Sequence, residues 1–318
     1  MYKGNLVIDS HADILYRMGH EALDFYDEQS PLHLSHQHMM KAGIDLQVFA
    51  TFIDPSLRGS EQLMPVLDSL HRFHTKVEQN GVIRPIYDRA GLRSVQDGTL
   101  ARGALLSLEG AECLAGRISV LYALFSLGIR MIGLTWNHAN SLADGVGESR
   151  GAGLTRFGKE VVEHMQALGM VVDVSHLSEK GVWDVVQLAK APIIASHSNA
   201  KAVFDHRRNL SDTQIELIAN TGGIIGITFV PGFITSHDEV TMDDLVRHTE
   251  HMLRIAGPQA VALGSDFDGI EKTMKDLKNG SDYPQWLARL ESEFGLDVMV
   301  QIAGANMFRV LETVLPGR

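Results

Sequence analysis

The chain has 318 residues, a single cysteine and a formal net charge of −11, with 45% hydrophobic and 21% charged residues. This charge argues against a nucleic-acid partner, since a phosphate backbone is held mainly by Lys and Arg. The lone Cys113 excludes an intramolecular disulfide and a cysteine-based zinc cluster, so any metal must sit on His, Asp and Glu.

No stretch approaches the ~18 apolar residues of a membrane span, and residues 1–5 carry no apolar signal-peptide region before the first strand begins. The expectation is a soluble cytoplasmic protein with no membrane partner. Eight short apolar runs then follow in order, at 6–8, 46–52, 104–108, 131–134, 170–174, 192–195, 223–228 and 261–264. They are rich in Val, Ile and Leu without alternation, which predicts strands buried on both faces, as in a parallel sheet.

Amphipathic stretches separate the runs. Residues 63–77 place Leu63, Val66, Leu67, Leu70 and Phe73 at helical spacing. Residues 157–168 predict a helix ending at Gly169, which suits a left-handed cap. Helices over 178–188 and 211–219 open on Ser178 and Ser211, and one over 241–256 opens on Thr241 with Asp243 and Asp244 in its first turn. The stretch 284–315 predicts two closing helices, the last over 297–314.

Strand and helix repeated eight times predict an α/β fold, a (β/α)8 TIM barrel of the metal-dependent hydrolase type. It would form one catalytic domain over residues 1–318 with C-terminal helices. An open doubly wound sheet is the competing reading, and the lack of a Gly-x-Gly-x-x-Gly turn after the first run weighs against it. The polar, His-rich 17–41 and the Gly- and Ser-bearing 137–154 are expected to be lid or wall loops at the active-site end.

Six of the runs end on polar residues: His11 with Asp13, Glu109, Trp136 with Asn137 and His138, His176, His197, and Asp266. Barrel enzymes place catalytic groups at the carboxyl ends of several different strands. On an extended chain residues two apart share a side, so His11 and Asp13 could face one ion. Glu109 directly follows a buried apolar run, where a carboxylate is costly unless paired or metal-bound. Ser175-His176 and Ser196-His197 close adjacent strands in the same register. Asp266 stands at the end of the last strand, where it would lie beside His11 once the barrel closes and could move a proton.

These motifs resemble the membrane (renal) dipeptidase family, peptidase family M19, within the amidohydrolase-like barrels. The likeness runs from His11-Ala12-Asp13 through Ser107-Leu108-Glu109-Gly110, Asp173-Val174-Ser175-His176, Ser196-His197-Ser198-Asn199-Ala200, Arg207-Arg208-Asn209 and Asp266-Phe267-Asp268-Gly269 to Gly304-Ala305-Asn306-Met307-Phe308-Arg309-Val310. It implies two Zn2+ per subunit, with Glu109 bridging, His11 and Asp13 completing one ion, and His176 and His197 the other. It also implies a metal-bridging hydroxide as nucleophile, Asp266 as proton shuttle and Arg208 gripping the terminal carboxylate of a dipeptide. Substrates with a C-terminal D-residue and homodimerisation are further expectations of the resemblance.

One departure stands out. Vertebrate members carry a histidine after Leu-Thr on the fourth strand, touching the scissile carbonyl, whereas this chain reads Leu134-Thr135-Trp136-Asn137-His138. Either Asn137 or His138 supplies a substitute contact, or Trp136 shapes the pocket without one.

The rival readings are lactone, phosphoester or deaminase chemistry on the same site, and a metal-retaining binding protein without turnover. The first usually brings His-x-His on the first strand and a carboxylated lysine, and Asp13 and Glu109 stand in their place. His33, His36 and His38 read as a polar loop or helix start rather than a metal cluster. His71 with His74, and His248 with His251, are three apart and read as solvated helix faces. Arg207 is expected to pair with a neighbouring loop, and Cys113 reads as a small core residue.

Overall fold

A computed structural model describes residues 6–78 and 81–317. The stretch 1–5, read above as the lead into the first strand, lies outside them. Among the described residues nine parallel strands run in chain order: β1 (Ile8–Ala12), β2 (Leu46–Phe52), β3 (Ile83–Pro85), β4 (Arg102–Glu109), β5 (Ile129–Gly133), β6 (Val171–Asp173), β7 (Ile194–Ala195), β8 (Ile224–Ile227) and β9 (Val261–Leu263). Pairing runs β2-β1-β9-β8-β7-β6-β5-β4, and β2 pairs with β4, so eight strands close into a barrel.

The ninth, β3, lacks an apolar run and was not anticipated. It pairs with Arg102, Gly103 and Ala104 at the start of β4. Beyond that point β5 takes over the same edge, from Leu106 to Glu109.

Two apolar clusters explain why the strands do not alternate. Ile8, Leu46, Val48, Leu105, Met131, Val171, Ile194, Ile224 and Ala262 fill the barrel interior. Their neighbours Val7, Phe49, Leu106, Ile132, Val172, Ile225 and Leu263 face the surrounding helices. Both faces of the eight barrel strands are largely dry, as burial of a parallel sheet requires, whereas Arg84 of β3 is exposed. The interior is closed at the strands' amino ends by Met307, Val310, Leu311 and Val314 of the last helix, which leaves the carboxyl ends as the open mouth.

The helices form where the capping signals stand. Helix Arg156–Leu168 ends at Gly169 with φ 74°. Helix Asp212–Asn220 opens on a reciprocal box between Ser211 and Gln214, and Ser178 Oγ caps Glu179–Leu188 through the Gly181 N–H. The expected helix 63–77 is Met64–Arg72, continued by a wider turn over Phe73–Val77. The tail is Tyr283–Phe294 followed by Leu296–Val300, a wider turn Gln301–Ala305, and Asn306–Val314. Among the described residues no helix is long and apolar enough to cross a membrane.

Three sequence expectations need correction. His248 is fully buried rather than solvated: its Nδ1 accepts the Ala200 N–H at 3.1 Å and its Nε2 meets the Ile234 carbonyl at 2.9 Å. Its helix lies under the loop after β7, so that face is an internal contact. Arg207 is exposed and makes no ion pair among the described residues. The stretch 17–41 gives no lining residue to the cavity over the site; it packs against the loop after β9, where the Asp268 carboxylate accepts the His33 and Leu34 N–H groups at 2.7 and 3.0 Å.

Candidate active site

His11, Asp13, Glu109, His176, His197 and Asp266 meet at the carboxyl ends of β1, β4, β6, β7 and β9. Their approach follows from strand pairing. Asp173 pairs with Ile194, so three residues further along each chain His176 and His197 stand level. The Asp266 N–H donates to the His11 carbonyl at 3.1 Å, and the Asp13 N–H to the Phe267 carbonyl at 2.9 Å, closing β9 against β1.

His11 and Asp13 do meet, with Nε2 and Oδ2 3.4 Å apart, although not because the chain is extended. Asp13 lies past the strand at φ −94°, ψ 31°, at the position just before the helix Ile14–His20, with its side chain free of any capping bond. The turn there, rather than strand alternation, brings its carboxylate back to the imidazole.

Glu109 sits between two groups of donors. Its Oε2 lies 3.6 Å from His11 Nε2, and its Oε1 lies 2.9 Å from His176 Nε2 and 3.6 Å from His197 Nε2. The donor atoms of His11, Glu109 and His197 fall within 4.8 Å of one another, as do those of His11, Asp13 and Asp266. His176 and Asp266 both adopt left-handed backbone, at φ 66° and 64°. Such conformations in non-glycine residues are strained and concentrate at functional sites. Gly269 crosses directly over the carboxylates: a Cβ there would lie 2.2 Å from Asp13 Oδ2 and 2.7 Å from Asp266 Oδ1.

The hydrogen-bond pattern assigns the imidazole protons. Ser196 Oγ donates to Asp173 Oδ2 at 2.5 Å, so at its 2.8 Å contact with His197 Nδ1 the ring must be the donor. His176 Nδ1 meets the Asn137 Oδ1 acceptor at 2.9 Å and must donate as well. Both rings therefore turn lone pairs inward, and their Nε2 atoms stand 2.8 Å apart. Two facing lone pairs repel unless a cation lies against them. His11 Nδ1 and Nε2 and Asp13 Oδ1 are buried with no hydrogen-bond partner among the described residues. Buried polar atoms left unpaired are costly. Nitrogen and oxygen donors gathered in this way fit borderline divalent ions such as zinc.

Charge tells the same story. Burial holds the His176 pKa down at about 4, reinforced by Arg208, and pushes His197 well below the usual imidazole range; both are neutral ligands in waiting. Burial also opposes a charge on His11, but Glu109 and Asp13 outweigh it and raise that pKa well above normal. Burial lifts Asp266 well above the carboxylate range, and the charges of Asp13 and Glu109 add to the lift against His11 and Arg208. Burial, with the charge of Glu109, raises Asp13 as well, whereas at Glu109 burial is outweighed by His11 and His176, which hold its carboxyl well below the usual range.

A cavity of about 610 Å³ opens over the cluster, bordered by Asp13, Glu109, Trp136, Asn137, His176 and Asp266. Trp136 stands edge-on to Phe52 at 5.4 Å, and Phe52 to Tyr16 at 5.2 Å, forming an aromatic wall. Phe233, Val230 and Ile270 form the opposite side. The lining residues Tyr16, Val230, Phe233 and Ile270 had no signal of their own in the sequence. Phe52 did, as the last residue of an apolar run.

His138 does not join the site. Its side chain is 62% exposed, lies 3.8 Å from Glu148 and borders a neighbouring cavity of about 650 Å³. Arg208 is buried behind Phe233, with its guanidinium 5.5 Å from that ring, and borders a separate cavity of about 200 Å³ that shares His176. Its Nη2 donates to the His197 carbonyl at 3.2 Å, and its Nε has no partner among the described residues.

Comparison with known proteins agrees with this arrangement. Residues 1–315 match the family described as membrane dipeptidase, peptidase family M19. An uncharacterized dipeptidase of Schizosaccharomyces pombe is 36% identical over 216 residues, covering 66% of this chain and 53% of the relative, so the match spans about half that relative's length. A Klebsiella pneumoniae protein encoded in the pqqA 5′ region is 36% identical over 235 residues, 70% of this chain and 85% of the relative. The crystal structure of an M19 metallopeptidase, dipeptidase AC, superposes with a TM-score of 0.91 at 26% identity, covering 99% of this chain and all of the other. A Rhodobacter sphaeroides metallopeptidase solved with a phosphinate mimic of L-Ala-D-Ala shares the fold, with a TM-score of 0.90 at 24% identity over 98% and 99% of the two chains. With the motifs in order, the barrel closed and the family match running nearly end to end, the chain belongs to the membrane dipeptidase family, peptidase family M19.

Proposed function

We propose that this protein is a zinc-dependent dipeptidase that hydrolyses the peptide bond of short peptides, including those with a C-terminal D-residue. His11 and Asp13 would hold one ion, His176 and His197 a second, and Glu109 would share its two oxygens between them. The observation that carries the reading is the pair of inward lone pairs on His176 and His197, 2.8 Å apart beside Glu109 Oε1. Bound ions would supply Lewis-acid activation of water and of the peptide carbonyl at neutral pH.

The remaining work falls to the chain's own groups. Asp266 borders the cavity with a carboxyl whose proton affinity is already raised, so it would accept a proton from the attacking water and return it to the departing amine. Arg208, bordering the smaller cavity that meets the main one at His176, would take the substrate's terminal carboxylate from that side. Its guanidinium stays charged even though burial pulls its pKa down to about 10, and its planar fork suits a carboxylate. A charge fixed at one distance from the scissile bond favours dipeptides over longer chains. Trp136, where a histidine would touch the carbonyl in the vertebrate relatives, lines the cavity as wall.

The test is a panel of L,L- and L,D-dipeptides, a lactone and a phosphotriester, assayed with and without added zinc. Metal-dependent cleavage confined to the dipeptides is expected. Turnover of the lactone or the phosphotriester with no dipeptide cleavage would overturn the proposal, and so would zinc uptake with no turnover of any of them.

A further inference from the structure

We infer that Asn137 is a two-ended residue: its carbonyl oxygen positions His176, and its amide nitrogen is the donor that meets the substrate carbonyl in place of the missing histidine. The inference rests on the two-ion reading above and assigns a role to a side chain next to the one departure from the vertebrate pattern.

Three observations support it. First, Asn137 Oδ1 is the sole hydrogen-bond partner of His176 Nδ1 among the described residues, at 2.9 Å. A ring that offers Nε2 to a cation must carry its proton on Nδ1, and an acceptor on the far nitrogen fixes that tautomer and the ring's angle. Because the acceptor end of the amide is taken, the orientation of the group is fixed too. The NH2 end, without a protein partner among the described residues, is left at a residue that borders the cavity beside Trp136 and Glu109.

Second, the backbone at Asn137 is held tightly enough to act as a support. Its carbonyl accepts the Gly147 N–H at 2.8 Å, and the His138 carbonyl accepts the Gly145 N–H at 3.2 Å. Gly145 lies so close that a Cβ would sit 2.2 Å from the Trp136 oxygen and 2.4 Å from the Asn137 carbonyl carbon. Only glycine allows this approach.

Third, the same loop holds the backbone of His176. The Val146 N–H donates to the His176 carbonyl at 2.7 Å, Thr135 Oγ1 reaches the same oxygen at 3.4 Å, and Gly145 bridges Leu177 in antiparallel fashion. His176 sits at φ 66°, a conformation that persists only when its surroundings over-determine it. The loop after β5 thus fixes the metal-facing imidazole at both backbone and ring, and presents a free amide donor on the other side of the same residue.

The two ends can be separated by substitution, and metal binding supplies a readout independent of turnover. Asn137→Asp keeps an acceptor for His176 Nδ1 and loses the donor. Asn137→Ala loses both. Metal per chain is measured after equilibration with graded zinc-chelator buffers, alongside kcat and KM on a dipeptide. Asn137→Ala is expected to weaken one ion ~10- to 100-fold while the other is unchanged. Asn137→Asp is expected to hold both ions at wild-type affinity or tighter, with kcat down ~100-fold and little change in KM. Wild-type affinity for both ions in Asn137→Ala overturns the positioning role, and wild-type kcat in Asn137→Asp overturns the donor role. If the unsubstituted protein itself takes up fewer than two ions, the two-ion reading fails, an outcome distinct from either.

Discussion

In the proposed mechanism the chemistry turns on Asp266, and its environment bears on two roles. As a proton carrier it needs a raised proton affinity, which burial and the neighbouring Asp13 and Glu109 provide. As a ligand it would need to face an ion together with His11 and Asp13, and its oxygens are within reach of both. Asp266→Asn distinguishes these: the amide keeps the shape and loses the proton chemistry. The expected result is two ions retained and kcat lowered by about 10²- to 10⁴-fold. Loss of one ion in the variant would make Asp266 a ligand instead. Cys113, by contrast, is out of the chemistry: burial pushes its thiol up to about 12, so it carries no thiolate at neutral pH.

At the scale of elements, the site is the place where loops after the strands are pinned to one another. Buried Asp9 accepts the Ser265 N–H at 2.9 Å, the Ser265 hydroxyl at 2.7 Å and the Tyr283 hydroxyl at 2.9 Å, fastening β9 and the penultimate long helix to β1. Asp173 does the same for β6 and β7 through Ser196. Asp268 and His33 form a reciprocal pair between the β9 loop and the stretch after β1, the Asp268 N–H donating to His33 Nδ1 at 3.0 Å. This pair predicts a pH signature. Burial, with help from Arg17 and His38, holds His33 down at about 4, so its contribution is present above the unfolded value near 6.5 and is lost as pH falls towards 4. Burial raises Asp268 to about 6, so its contribution is present below the unfolded value near 3.8 and is lost as pH rises through 6. The two oppose each other across pH 4–6. In His33→Gln only the Asp268 contribution remains, and stability should fall between pH 4 and 6 by on the order of 1 kcal/mol more than in the unsubstituted protein. Thermal unfolding at a series of pH values checks this, and a variant profile that parallels the unsubstituted one contradicts it.

At the scale of the whole molecule, much was legible because the signals were strong and local. Eight dry strands, helix caps at Ser178, Ser211 and Gly169, and polar residues at the strand ends are each readable from adjacent residues. What was not legible depends on contacts far apart in sequence. The strand Ile83–Pro85 forms because the start of β4 offers a free edge, not because Arg84 or Pro85 favours a strand. His248 is buried by a loop nearly fifty positions away, and no helical spacing announces that. Asn137 reads only as a candidate contact to the substrate, and its hold on His176, thirty-nine positions away, shows only in the fold. The last helix is a floor for the barrel rather than a tail, which has an energetic consequence. Leu311 is fully buried in the inner cluster, and Leu311→Ala should cost about 2–5 kcal/mol. Denaturant unfolding measures the loss. Metal content should be untouched, since the floor and the metal donors lie at opposite ends of the strands, and loss of ions in a folded Leu311→Ala protein would contradict that separation.

The proposed arrangement has five donors, from four separate strand ends, enclosing a pair of cations about one carboxylate. It is tested most directly by anomalous diffraction at the zinc edge from crystals of the metal-loaded protein. The account predicts two peaks, one against His11 and Asp13 and the other against His176 and His197, with an oxygen of Glu109 on each. A single peak, or two of which neither touches Glu109, would contradict it.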